Sequence, residues 1–64
     1  MNGIYLTAPE FAKRIRIHVQ TVRLWDKTGK LKAHHKTPGG HRYYSKEQVE
    51  DYLNGKYGNL GKGN

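Results

Sequence analysis

Cysteine is absent from the 64 residues of this chain. That rules out disulfides and thiolate metal sites, and leaves packing and helix caps to hold the fold together. A fold stable without a disulfide suits a reducing cytoplasm. Long apolar runs are also missing. Nothing approaches the roughly 20 residues of a membrane span, and no stretch resembles a signal peptide, so no membrane role is expected. Acids are scarce: five Asp and Glu stand against 12 Lys and Arg, for a net charge of +7. Such a chain forms one small domain with a limited core.

Where the few acids lie is more informative than their number. Between Lys13 and Arg42 there are nine Lys and Arg but one acid, Asp26; Glu10 precedes that stretch, and Glu47, Glu50 and Asp51 follow it. A basic middle with acidic flanks builds one positive surface, the footprint of a polyanion-binding protein. The same scarcity works against catalysis. No nucleophile stands with a supporting His and acid, and no His-Glu-x-x-His pair occurs, so neither an enzyme nor a cofactor is expected. His34 and His35 are adjacent in a strand-like run, which should send their rings to opposite faces and prevent them from sharing a metal.

Three helix starts follow one local logic. Thr7 is placed to cap a helix, with Glu10 closing a capping box, Pro9 in the first turn, and Leu6 and Phe11 spaced as a hydrophobic staple. Ser45, Gln48, Tyr44 and Val49 repeat that grammar. Between them, Ile17 and Val22 form a staple around His18, a weaker cap. The expected helices span Ala8 to Ile15, Val19 to Thr28 and Lys46 to Asn54, with Gly29 and Gly55 ending the last two. Only about three residues, Arg16 to His18, separate the first two helices, the spacing of a helix-turn-helix. Such turns often carry glycine; here Arg16 occupies the place and would be strained at positive φ.

Between the second and third helices, Leu31 to Lys36 and His41 to Tyr44 read as a hairpin around Thr37-Pro38-Gly39-Gly40. The expected fold is mainly α with a small β-hairpin, a winged helix-turn-helix of three helices plus a wing. Residues 1–54 form the domain. Residues 55–64, with four glycines, are expected to be a flexible tail in which Tyr57 and Leu60 touch the body.

At about 100° per residue, Val22, Trp25 and Asp26 fall on one side of the second helix with His18, while Gln20, Arg23, Leu24 and Lys27 fall on the other. Arg and Gln are the side chains that pair bidentately with guanine and adenine in the major groove. The thin, glycine-rich hairpin, flanked by Lys36, His41 and Arg42, is shaped to touch phosphate or enter the minor groove. Trp25, Tyr44 and Tyr52 fit core positions, Tyr5 a partly buried one, and Tyr43 is the aromatic expected to be exposed. These residues point to double-stranded DNA as partner. An RNA-binding role would call for aromatics clustered on an exposed sheet, whereas most here fit the core.

Three blocks, Leu6-Thr7-Ala8-x-x-Phe11-Ala12, then Ile15-Arg16-Ile17-His18-x-x-Thr21-Val22-Arg23-x-Trp25-x-x-x-Gly29-x-Leu31, then Gly39-Gly40-His41-Arg42-x-Tyr44, resemble the MerR-type winged helix-turn-helix. The resemblance runs from about Tyr5 to Leu53. It is closest to short BldC-like regulators, excisionases, and the DNA-binding segments of small serine recombinases. It implies that the second helix enters the major groove through Gln20, Thr21 and Arg23, that Arg42 contacts the backbone from the wing, and that Thr7 lies near phosphate. The expected DNA-binding set is Thr7, His18, Gln20, Thr21, Arg23, Lys27, Lys36, Gly40, His41, Arg42 and Tyr43. His18 stands where the family usually has Ser or Thr, and Leu24 where a second Arg is common. Full MerR regulators add a dimerisation helix and an effector domain; neither is read here, so no small-molecule effector is expected. The resulting expectation is a small transcriptional regulator of bacterial, phage or mobile-element origin, cytoplasmic and nucleoid-associated, loading beside neighbouring copies of itself on repeated sites. RNA polymerase is then a candidate partner. The alternative is an excisionase working with an integrase, or the DNA-binding part of a recombinase.

Overall fold

A computed structural model describes residues 5–58 and 60 of the chain. The elements run β1 (Tyr5–Thr7), α1 (Ala8–Ile15), α2 (Val19–Thr28), β2 (His35–Lys36), β3 (Arg42–Ser45) and α3 (Lys46–Leu53). The first two helices have the expected bounds, and α3 ends one residue early, with Asn54 as its cap.

Both capping boxes form. The Thr7 hydroxyl accepts from the Glu10 N–H at 3.3 Å while the Glu10 carboxylate accepts from the Thr7 N–H at 2.9 Å. Ser45 and Gln48 reproduce the exchange at 3.1 and 2.9 Å. In α2 the cap is His18, whose Nδ1 accepts from the Gln20 N–H at 3.2 Å. In its neutral form that ring therefore carries its proton on Nε2.

The turn between α1 and α2 has a specific origin. Arg16 is left-handed, with φ 62° and ψ 40°. Its N–H reaches the Lys13 carbonyl, and the Ile17 N–H reaches the Ala12 carbonyl at 3.0 Å. This is the paired bonding of a Schellman ending, normally built on glycine. Ile17 then packs against the core and sets the direction of α2.

The core is one cluster. Leu6 of β1, Ala8, Phe11, Ala12 and Ile15 of α1, Val22 and Trp25 of α2, Leu31, Tyr44 of β3 and Val49 of α3 are buried together. Tyr52 is half-buried and stacks on Trp25. Tyr57 and Leu60 also pack against this cluster, as expected. The remainder of the expected tail, residues 59 and 61–64, lies outside the described residues.

The sheet departs from the expected two-stranded hairpin. Tyr5–Thr7 adds a third strand, giving the order β1-β3-β2, all antiparallel. The outer strand β2 is only two residues long, not six. Residues 31–33 cannot extend the ladder because their backbone groups are committed elsewhere. The Leu31 N–H donates to the Trp25 carbonyl, the Ala33 N–H to the Asp26 carboxylate, and the Lys32 carbonyl accepts from the Gln48 side chain at 2.8 Å. The turn that follows closes through the Gly40 N–H to the Thr37 carbonyl at 2.9 Å, with Gly40 at φ 88°.

Candidate nucleic-acid interface

On α2, Gln20, Arg23, Leu24 and Lys27 are exposed while Val22, Trp25 and Asp26 are buried, and Thr21 is half-buried. The helix thus presents Gln20, Arg23 and Lys27 to solvent on one side, as their spacing requires. Leu24 lies among them at 55% exposure.

Two open clefts flank this helix. In the first, of about 280 Å³, Arg23 meets Thr7 and Pro9 from the start of α1, and Gly40, His41, Arg42 and Tyr43 from the wing. Six of the expected binding residues, spread over three parts of the chain, therefore share one cleft. The second, of about 690 Å³, joins Lys27 to Lys32, His35 and Lys36, with Asp26 and Arg42 also on its walls. Arg42 is common to both. His18, Gln20 and Thr21 line neither cleft; His18 caps α2, and Gln20 and Thr21 lie in its first turn.

Asp26 is the residue that sequence reasoning did not place in the site. Its side chain is 3% exposed. Arg42 Nε donates to its Oδ2 at 2.6 Å, Lys36 Nζ lies 3.5 Å from the same oxygen, and the Ala33 N–H donates to Oδ1 at 2.9 Å. Burial would raise this carboxyl, but the Ala33 and Arg42 hydrogen bonds and the charges of Lys36 and Arg42 outweigh it and hold it below its ordinary value of 3.8. A signal was present in the sequence: an acid on the apolar side of a helix, next to a buried tryptophan, requires a cationic partner. Which cation supplies it could not be read, because Arg42 lies 16 residues away.

Three aromatic expectations are corrected. Tyr43 is half-buried, because its ring stacks on His35 at 5.4 Å across the β2–β3 pairing. Tyr5 is instead the exposed aromatic, at 41%, since the edge strand β1 places it outside the core. The His34 and His35 rings do not diverge: their Nδ1 atoms lie 2.9 Å apart. His34 sits in a bend just before β2, so strand alternation does not govern it. Among the described residues, no group of three or more His, Cys, Asp or Glu is placed to hold a metal ion, and no helix is long and apolar enough to cross a membrane.

Two exposed helical cations and a basic wing, set on either side of shared clefts, define a DNA-binding domain of the winged helix-turn-helix class. The sequence matches the family described as helix-turn-helix domain over residues 5–57. The chain belongs to that family. Its fold is similar to the crystal structure of a MerR-family transcriptional regulator from Bacillus cereus, with a TM-score of 0.71 and 30% identity. The match covers 92% of this chain and 48% of that one, so the chain spans about half the regulator's length. A search of curated protein sequences finds no significant match. The domain is therefore MerR-like, as its motifs imply.

Proposed function

We propose that this protein is a sequence-specific double-stranded DNA-binding regulator of transcription, with α2 in the major groove and the wing on the adjacent backbone. The observation that carries the reading is the first cleft. Arg23 of α2, the Thr7 end of α1 and the wing residues Gly40 to Tyr43 converge there. A phosphate strand bordering a major groove entered by α2 would pass that place, and the flanking Gln20 and Lys27 would then face base edges or the opposite strand. The likeness to a transcriptional regulator supports the regulatory role.

A module of this size buries only ~600–1,000 Å² on DNA. Neighbouring copies on repeated sites would supply the remaining affinity through effective concentration.

Selection of bound sites from random duplex DNA tests sequence specificity directly. Titration against salt tests the electrostatic component. Neutralising roughly five to eight phosphates gives a slope of log K against log salt of about −4 to −7. No enriched site, or a slope near zero, would refute the reading.

A further inference from the structure

The wing's two inner cations do not stand free. Arg42 and Lys36 share one buried carboxylate, Asp26, contributed by the helix that is proposed to enter the groove. Arg42 is bound through Nε, on one edge of its planar fork, at 2.6 Å. Its side chain remains 25% exposed, and it forms part of the wall of both clefts. Lys36 is further from the carboxylate, at 3.5 Å, and 53% exposed.

We propose that Asp26 is a positioning and specificity-determining residue of the DNA interface. Its carboxylate fixes the plane of the Arg42 guanidinium relative to α2, and it cancels one of the two wing charges. The proposal rests on the function given above and adds to it a residue with the wrong charge for a phosphate contact.

Two consequences follow from chemistry. First, Arg42, Lys36 and Asp26 together carry a net +1, where the two cations alone would carry +2. Non-specific affinity comes from phosphate neutralisation, so the carboxylate weakens binding to random duplex. Second, a guanidinium held at Nε offers its remaining Nη donors in one orientation. Those donors suit a phosphate whose position is set by α2 seated in its preferred groove, and a poorly seated duplex gains less from them. Both effects widen the gap between preferred and random DNA. A simple structural role predicts neither, because a loosened fold would weaken both duplexes together.

The test compares wild type, Asp26→Asn and Arg42→Lys on the selected site and on random duplex, across a salt series, with circular dichroism to confirm folding. For Asp26→Asn, the slope on random duplex should steepen by about 1, and non-specific affinity at low salt should rise. Discrimination between the two duplexes should fall by about three- to tenfold. Arg42→Lys keeps the charge but loses the planar fork, so the slope should stay at the wild-type value while discrimination falls. This second variant decides the matter if Asp26→Asn does not fold. Discrimination at the wild-type level in either folded variant, or an unchanged slope in Asp26→Asn, would overturn the proposal while leaving the DNA-binding reading intact. Failure of the wild-type protein to bind duplex at all would refute that reading instead.

Discussion

Phe11 and Tyr44 stack with ring centroids 4.3 Å apart and planes within 10° of parallel. This pair ties α1 to β3, the strand that leads out of the wing. The support of the wing is thus an aromatic contact in the core, worth ~0.5–1.5 kcal/mol beyond the area it buries. Tyr44 is fully buried, and its hydroxyl has no hydrogen-bond partner among the described residues.

That hydroxyl should be removable. Tyr44→Phe keeps the ring stack and deletes an unpaired polar group, so the domain should become more stable by about 1–3 kcal/mol. In a domain of this size each kcal/mol moves the melting temperature by about 4–8 °C. Alkaline pH provides a second readout. Burial, then the charge of Asp26, partly countered by Arg42 and Arg23, pushes the Tyr44 phenol from 10.0 to about 12. The folded state therefore resists the ionisation that the unfolded chain undergoes. Stability is intact below pH 10 and is lost as pH rises through 12, by about 2–3 kcal/mol. The Phe variant should lack this part of the loss in a series of melts from pH 8 to 12. A variant less stable than wild type would show that the hydroxyl is bonded.

The acid limb depends on Asp26. Its folded-state value lies below its ordinary 3.8, so its contribution is present above about pH 4. It is lost as pH falls through 3.8 towards the lower folded value. Thermal melts between pH 6 and 2 should show wild type losing stability faster than Asp26→Asn, so that the two curves converge at low pH. Parallel curves would mean that the carboxylate contributes no pH-dependent stability.

Arg16 is the one described non-glycine residue with positive φ. A left-handed L-residue costs about 1–2 kcal/mol, which the greater freedom of glycine in the unfolded chain partly offsets. Arg16→Gly should therefore stabilise the domain by about 0.5–1 kcal/mol, measured by urea denaturation. The Schellman hydrogen bonds at Lys13 and Ala12 are backbone bonds and survive the change. A destabilised variant would mean that the exposed Arg16 side chain makes a compensating contact.

The helices, their caps and the inward and outward faces of α2 were legible in the sequence because each rests on local spacing. Thr7 and Glu10 are three residues apart, and Val22 and Trp25 lie on one side of a helix by periodicity alone. What escaped was non-local. Leu6 and Thr7 read as the staple and cap of a helix, and the pairing of Tyr5–Thr7 with Tyr43–Ser45 that makes a strand of them is non-local. Residues 31–33 are extended enough to suggest a ladder, yet partners from α2 and α3 capture their backbone groups. The spacing of Gln48 from Ser45 marks it as a capping residue, but nothing local marks its second bond, to Lys32 16 residues away. The candidate interface shows the same division: the Arg23 face follows from helical phase, whereas Arg42 held on Asp26 needs the fold.

Arg23 is the sharpest test of how α2 meets DNA. It is exposed between Gln20 and Lys27, and it also lines the cleft shared with Thr7 and the wing. A contact to guanine would be lost in Arg23→Ala at a cost of about 1–3 kcal/mol on the preferred duplex, with a smaller effect on random DNA. A phosphate contact would instead weaken both duplexes alike and lower the salt slope by about 1. The exposed position three residues after Gln20, on the same side of α2 as Lys27, favours the first outcome. Equal losses on the two duplexes, measured at one salt concentration, would place Arg23 on the backbone and leave Gln20 and Lys27 to read the sequence.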